Sequence, residues 1–468
     1  MKLALIGGGG VRSPLFVYSA LKRAKTLGVQ EISLMDTNAE KLAIFGSISQ
    51  IIAEMAGGSV KISTTTNARQ ALEGARYVVT TIRVGEEQGR VLDERIALKH
   101  GVLGQETTGP GGFAMAMRSI PAILDYAQLM EKLSPGAWMF NFTNPAGLVT
   151  QALHSQGFTR VVGICDGANS AQHAIAHHLD INPNELRPEV FGLNHLSWTR
   201  KVLHNGENIL PRLLSDGSFI RDSMQKIFEP ALRRQVGMWL NEYLYYYYYA
   251  EKAVQQIASE EMTRGEEILM LNKRLLEVLR ELDPHKDPQK ALQHYIKYNY
   301  RRGATYMYYA QEGAPNPEKA DELFEVKTIE PDPSEGEGYA GVALDIIQGF
   351  EVGGPVYTAL NVPNQGAIAC MQPDDIVEVS CRIDRRETPG SGYIHPLLIG
   401  EIPDAIQALM RAVKSYERMA AQAILTRSRK TAVAALMTHP LVVSYSRATA
   451  LVDDYLKAHA AYIGPWDG

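Results

Sequence analysis

A chain of 468 residues, 45% hydrophobic and 21% charged with a formal net charge of −5, is too long for one ordinary core and has no basic excess to line a nucleic-acid groove. No apolar run reaches the ~18 residues of a membrane span, and nothing at the start has a signal-peptide layout, so neither nucleic acid nor membrane is an expected partner. Cys165, Cys370 and Cys381 are too few and too scattered for a disulfide framework, which favours a reducing cytoplasm.

Residues 2–6 form a short apolar run that predicts a buried parallel strand. Four glycines follow, and 11–27 reads as a helix stopped by Gly28. A second run, 32–35, is closed by Asp36, and 37–55 is again helical in period. Residues 60–64, 77–82, 138–141 and 161–165 read as further strands. This alternation predicts an α/β fold with a Rossmann-type, doubly wound parallel sheet over residues 1–165. Beyond it, 173–180 is helical, 190–203 reads as strand, and 216–282 is dominated by long helical patterns. Residues 313–340 are the most loop-like stretch, 376–383 alternates like a strand, and 402–437 is an Ala-rich amphipathic helix or helix pair. Residues 166–468 are expected to form a larger α+β domain for substrate, metal and subunit contacts, packed against the carboxyl ends of the parallel strands, where ligands of such sheets sit.

Gly7-Gly8-Gly9-Gly10-Val11-Arg12-Ser13-Pro14 lies between the first strand and the first helix. Glycines there permit a tight turn and let backbone N–H groups approach a pyrophosphate at the helix N-terminus. Asp36, at the end of the second strand, is placed to accept both ribose hydroxyls, which favours NAD over NADP. The bland alternative is a glycine-rich turn that binds nothing. His173 and His177 have a zinc-like i, i+4 spacing but no evident third ligand, so they read as helix-face histidines. Glu86-Glu87 and Glu260-Glu261 read as solvated acids rather than a two-carboxylate glycosidase pair.

Longer motifs are more specific. Thr81-Ile82-Arg83-Val84-Gly85, Arg90, Asp93-Glu94, Gly104-Gln105-Glu106-Thr107-Thr108-Gly109, Asn141-Phe142-Thr143-Asn144-Pro145, Gly163-Ile164-Cys165-Asp166, Gly192-Leu193-Asn194-His195, Tyr243-Leu244-Tyr245-Tyr246, Asn364-Gln365-Gly366, Tyr416-Glu417-Arg418 and His439-Pro440-Leu441 follow in order along nearly the whole chain. The pattern resembles family 4 of the glycoside hydrolases, NAD- and metal-dependent enzymes that include 6-phosphoglycosidases, α-galactosidases and α-glucuronidases. The resemblance implies cleavage by a temporary oxidation: hydride passes from the sugar's C3 to NAD, a base removes the C2 proton, the aglycone leaves C1, water adds, and the hydride returns.

It also implies residue roles. Cys165 and His195 would hold a divalent ion, and thiolate plus imidazole suits manganese or iron better than magnesium. Tyr243 would be the C2 base, with the tyrosines of 245–249 read as an aromatic helix face. Asp166 would protonate the leaving oxygen. Gly7, Gly8, Gly9, Gly10, Val11, Asp36 and Arg83 would contact NAD, Asn144 and Glu106 the sugar, and Arg90 with Arg301 or Arg302 a 6-phosphate. Aspartate at 166 resembles the 6-phospho-α-glucosidases, whereas Gln105 to Gly109 resembles the β group, so a 6-phospho-glucosidase of either anomer is implied, as a homodimer or homotetramer. The competing readings are the same chemistry on an unphosphorylated sugar, a simple NAD-dependent hydroxy-acid dehydrogenase, and a nucleotide-sensing protein with a disused site.

Overall fold

The computed structural model describes residues 1–311, 337–386 and 392–467. Strands β1 (Lys2–Ile6), β2 (Glu31–Met35), β3 (Lys61–Thr65), β4 (Ala75–Thr80), β5 (Trp138–Asn141) and β6 (Val161–Gly163) pair in parallel, in the spatial order β3-β2-β1-β4-β5-β6. That is the strand order of a dinucleotide-binding Rossmann sheet. Leu3, Leu5, Ile6, Val78, Val79 and Phe140 are at most 1% exposed, which explains why these strands read as continuous apolar runs. The fold class read from the sequence is the one observed.

The stretch 190–203, expected as one strand, is the middle of a hairpin. β7 (Leu186–Leu193) and β8 (Leu196–His204) pair antiparallel, with Leu193 opposite Leu196, so the chain reverses over Asn194 and His195 alone. The residues flanking the turn, Leu193 and Leu196, are apolar and the turn carries neither Gly nor Pro, so Asn194 is its one local signal. β9 (Glu207–Asn208) and β10 (Trp239–Leu240) complete this smaller sheet. β11 (Val356–Pro363) then pairs antiparallel with β6, and β12 (Ile376–Arg385) and β13 (Gly392–Pro396) follow, extending the main sheet to nine strands. The second half of the chain thus continues the sheet of the first.

Within 216–282 only Arg264–Leu282 is a long helix. The preceding pattern is cut by end signals: Asp216 and Ser223 cap the short turns that follow them, and Gly237 ends Pro230–Val236 in the left-handed region. Residues 402–437 form a pair, Asp404–Thr426 and Arg429–Thr438, separated by Arg427 at φ 52° and capped by Ser428. Most of the loop-like stretch 313–340 lies outside the described residues, and its end enters the helix Gly338–Glu351.

A buried polar cluster ties the C-terminal helices to the nucleotide-binding half. Asp93, on Glu86–Lys99, receives both Nη1 and Nη2 of Arg118, on Pro110–Leu133, at 2.8 and 2.7 Å, and meets His459 Nε2 at 2.7 Å. All three side chains are at most 1% exposed. Asp93→Ala would strand the Arg118 charge in the interior, and we expect a loss of about 3–5 kcal/mol in urea unfolding. An unchanged unfolding midpoint would refute this.

Candidate functional site

Side chains from distant parts of the chain meet at the carboxyl ends of the parallel strands. The loop after β1 turns at Gly7, with φ +99°, where a Cβ would lie 2.6 Å from the Thr81 carbonyl oxygen. At Gly9 a Cβ would lie 2.9 Å from Asp36 Cγ. Asp36 closes β2: Oδ2 accepts from Gly9 N at 3.0 Å and Oδ1 from Asn38 N at 2.9 Å. Burial raises its pKa despite those bonds. The glycine N–H groups are engaged inside the protein: Gly7 and Gly8 donate to the Met35 carbonyl, Gly9 to Asp36, and Gly10 to the Gly7 carbonyl. This corrects one sequence expectation, that these amides are offered to a pyrophosphate. The glycines supply close packing, and Val11 and Arg12 lead into the helix Ser13–Leu27, whose Ser13 N donates to the Gly10 carbonyl and whose Pro14 has no N–H. The Val11 carbonyl accepts from Tyr295 Oη at 2.6 Å.

Cys165 follows β6, and His195 sits in the β7–β8 turn at φ 60°. Their Sγ and Nε2 atoms are 3.4 Å apart, and both residues are buried, at 3% and 6% exposure. Burial lowers the His195 pKa to about 4, so the imidazole is neutral at pH 7. Its Nδ1 meets Thr107 Oγ1 at 2.9 Å. Burial and the nearby carboxylates of Glu378 and Asp166 push the Cys165 thiol up, the sense expected where a cation is needed to hold the thiolate. Among the described residues no group of three or more His, Cys, Asp and Glu side chains converges on a metal position, so this pair would need other oxygens to complete a coordination shell.

Tyr243 stacks on the His195 ring, with centroids 3.9 Å apart and planes at 6°. Asn241 Oδ1 accepts from Tyr243 N at 3.0 Å and caps the turn Glu242–Leu244. The neighbouring tyrosines have other tasks: Tyr245 Oη donates to Gln256 at 2.7 Å, Tyr246 Oη meets Tyr309 Oη at 2.5 Å, and Tyr249 Oη accepts from Glu229 N. The ring against the imidazole is therefore that of Tyr243. Burial and the Glu106 charge raise its pKa, so the phenol is protonated unless a cation stands nearby.

An arginine–glutamate cluster forms the opposite wall. Arg83 Nη2 donates to Glu106 Oε2 at 2.6 Å, Arg90 Nη1 lies 3.1 Å from the same oxygen, and Arg90 Nε donates to Glu94 at 2.7 Å. Burial alone would raise the Glu106 carboxyl; Arg90 and Arg83 outweigh it and hold the group below the usual carboxylate range. The two arginines at 301 and 302 separate. Arg301 is 3% exposed and points at Glu267 and Thr305, inside the helical layer. Arg302 lies within electrostatic reach of Glu106, Arg12 and Arg264. Of this pair, the structure brings Arg302 to the site.

Asn144 lies after β5, and its Oδ1 is buried with no hydrogen-bond partner, an orphan acceptor in the pocket. Asp166 is partly exposed and lies 3.7 Å from Arg12 Nη1. Arg12, Thr107, Gln105 and Glu242 carry no assigned role in the sequence reading, yet all four border the site. A Cβ placed on Gly167 would lie 3.5 Å from Glu242 Oε1 and 3.8 Å from Cys165 Sγ, and burial pushes the Glu242 carboxyl up to about 7. Gln105 and Thr107 were legible only as part of a family-like motif, since their effect depends on the fold around them. Glu86 and Glu87 lie 3.0 and 3.5 Å from Lys41; Glu87, read as a solvated acid, is partly buried within electrostatic reach of Arg83 and Arg302, and His173 lies within reach of Asp166.

The residues fit both groups that the resemblance implies. The Gly9–Asp36 cradle, which a Cβ would fill, suits a dinucleotide ribose, and a neutral imidazole nitrogen 3.4 Å from a thiol suits a divalent transition-metal cation.

This architecture is that of a Rossmann-type enzyme with a metal-competent pocket at the carboxyl edge of its sheet. The chain belongs to family 4 of the glycosyl hydrolases: the family model matches residues 2–181, and the model of the family's C-terminal domain matches residues 190–442. A probable 6-phospho-β-glucosidase of Bacillus subtilis (strain 168) is 31% identical over 475 residues, spanning 99% of this chain and 97% of that one. The 6-phospho-β-glucosidase of Escherichia coli (strain K12) is 30% identical, spanning 99% and 96%. The structure of a Thermotoga maritima 6-phospho-β-glucosidase with manganese, NAD+ and glucose-6-phosphate matches with a TM-score of 0.80 at 27% identity, covering 99% of each chain.

Asp36 both pins Gly9 and stands where a ribose would sit. Asp36→Ala should therefore weaken NAD binding by about 1–3 kcal/mol in calorimetric titration. Unchanged affinity would remove Asp36 from the nucleotide site.

Proposed function

We propose that this chain hydrolyses the O-glycosidic bond of 6-phospho-glucosides, using NAD and a divalent metal, with manganese, present in the related Thermotoga maritima structure, as the ion. The observation that carries the reading is the approach of Cys165 Sγ to His195 Nε2, 3.4 Å, with Tyr243 stacked on that imidazole. The named relatives, two of them 6-phospho-β-glucosidases and one a probable one, support the substrate class.

Bound NAD supplies a reversible hydride acceptor for the sugar's C3, and the cation supplies Lewis acidity at the neighbouring oxygens. Gly7 to Gly10, Val11, Asp36 and Arg83 shape the nucleotide side, although Arg83 reaches it only as a partner of Glu106. Cys165 and His195 would hold the cation. Tyr243 removes the C2 proton, its phenol brought into range by cation charge against the burial that raises its pKa. Asp166, at the exposed rim beside Arg12, delivers a proton to the leaving oxygen. Asn144 presents its orphan oxygen to the sugar, while Glu106, held ionised by two arginines, orients them and the sugar together. Arg90 and Arg302 provide positive charge for the 6-phosphate, a role Arg301 cannot share while it faces Glu267.

The three cysteines are free, and among the described residues no helix is long and apolar enough to cross a membrane; both facts suit the cytoplasmic site of action we propose. We assign the working form to a homodimer or homotetramer, as the family resemblance implies.

The direct test supplies p-nitrophenyl α- and β-glucosides, with and without a 6-phosphate, to the reduced protein with NAD and manganese. Release from a 6-phosphorylated substrate only, abolished by chelation and restored by manganese, is expected. Both anomers belong in the assay because Asp166 resembles the α group and the named relatives are β enzymes. Net accumulation of NADH would instead favour a dehydrogenase. Cys165→Ser should lose activity and manganese together while keeping NAD. With Tyr243→Phe, exchange of the C2 proton into deuterated solvent should stop; continued exchange would point to another base.

A further inference from the structure

The hydrogen bonds behind His195 lead from the imidazole to a residue that no role has yet claimed. Thr107 Oγ1 lies 2.9 Å from His195 Nδ1, and the same hydroxyl donates to Gln105 Oε1 at 3.1 Å. The identity of that amide oxygen is fixed by the backbone: Thr107 N and Thr108 N both point at it, at 2.7 and 2.6 Å, and an N–H can only donate. A threonine hydroxyl has one proton. With that proton on Gln105, Thr107 offers only lone pairs to the imidazole, Nδ1 carries the ring's hydrogen and Nε2 is left as an acceptor; with the proton on Nδ1 instead, the ring's hydrogen would sit on Nε2, and the first setting is the one that gives the Cys165 thiol an acceptor. Nε2 is the atom that faces Cys165 Sγ.

The surrounding fold makes this geometry stiff. Gln105, Thr107 and Thr108 are 8%, 8% and 3% exposed. The segment lies directly on the start of the helix Pro110–Leu133, where a Cβ on Gly111 would come within 2.1 Å of the Gln105 carbonyl oxygen and one on Gly112 within 2.1 Å of the Thr107 carbonyl oxygen. The histidine is held as firmly from its own side, by a two-residue turn at φ 60° and by the stacked ring of Tyr243. The heavy atoms that link Gln105, Thr107 and His195 are therefore held in register.

We propose that Gln105 and Thr107 are a positioning pair which fixes the His195 ring with its hydrogen on Nδ1 and its Nε2 lone pair aimed at the cation position beside Cys165. The inference rests on the reading of Cys165 and His195 as metal ligands, and adds the two residues that make the histidine a ligand before any cation arrives. Partners of this kind orient metal-binding histidines in general, and losing one typically weakens binding 10- to 100-fold.

The test compares wild type, Thr107→Val and Thr107→Ser. Manganese binding is followed by the electron paramagnetic resonance signal of the free ion, NAD binding by calorimetry, and the ring nitrogens by 15N–1H spectra of metal-free protein, with His195→Gln locating the His195 signals. Thr107→Val should weaken manganese binding by about 10- to 100-fold, leave NAD affinity unchanged, and displace the Nδ1–H pattern of His195. Thr107→Ser, which keeps the hydroxyl, should restore both manganese affinity and pattern. Wild-type manganese affinity in Thr107→Val, failure of the serine variant to rescue, or a wild-type spectrum with the hydrogen on Nε2 would each overturn the proposal. If Cys165→Ser retains manganese, the ligand reading itself fails; the metal-free spectra still judge the Thr107 assignment independently.

Discussion

The site depends on one reversal of the chain. Asn194 and His195 carry β7 into β8 with no residue to spare, and that turn is what brings an imidazole to a thiol thirty positions earlier in sequence. A tip so short has to be aimed by its base, and the base is pinned to the main sheet. Ser380 on β12 accepts from Val190 N at 2.9 Å and donates to the Pro188 carbonyl at 2.8 Å, at the irregularity in β7 between Glu189 and Val190. Glu378, two residues earlier on the same strand, receives Asn194 Nδ2 at 3.1 Å and Asn361 Nδ2 at 3.0 Å. Asn194 Oδ1 in turn accepts from Gly147 N, just beyond Asn144. The histidine, the orphan amide and the cysteine are thus referred to one rigid object, the sheet that β11 to β13 extend.

Charge is unevenly arranged around that object. On one side Glu242, Glu378 and Asp166 disfavour ionisation of the thiol unless a cation is present. On the other, Arg83 and Arg90 share Glu106, Arg90 also pairs with Glu94, and Arg302 is disfavoured by burial and by Arg12 and Arg264. A cation on the first side and an anion on the second would each relieve an existing electrostatic cost. On the proposed reading these are the metal and the sugar phosphate, and the polarity of the pocket sets the orientation of the substrate between them.

How much of this could be read from the sequence follows from the range of the interactions. The inner parallel strands were legible because they are buried on both faces and so are largely apolar, while the edge strand β3 is exposed and polar; Asp36 and the glycine loop were legible because the nucleotide signal is confined to one strand–turn–helix unit. Cys165 and His195 were legible only through resemblance, since nothing local distinguishes a ligand from a buried thiol or a satisfied histidine. The β7–β8 turn was not read: Asn194 was its one turn signal, with no Gly or Pro beside it, and Gly192, whose φ of +142° allows it to lie against Ser197, precedes the reversal rather than forming it. The choice between Arg301 and Arg302 was equally closed, because neighbours on one helix differ only in which face they present, and it took Glu267 on the adjacent helix to claim the first.

The glycine loop shows why a correct motif can carry an incomplete physical explanation. Gly9 is required because a larger residue would displace Asp36, and Asp36 in turn accepts the Gly9 N–H. Each is positioned by the other before any ligand is present. An aspartate whose two oxygens already receive backbone donors has limited freedom to follow a ribose, so the ribose must fit the carboxylate rather than the reverse. With Gly7, Gly8 and Gly10 also bonded inward, the loop is a preformed wall, and its attraction for phosphate falls to the positive end of the helix that begins at Ser13, whose own amide is already given to the Gly10 carbonyl. Rigidity at this wall is what a transient redox step demands, because the hydride must return to the carbon it left and the distance between ring and sugar must survive every intermediate change in the substrate.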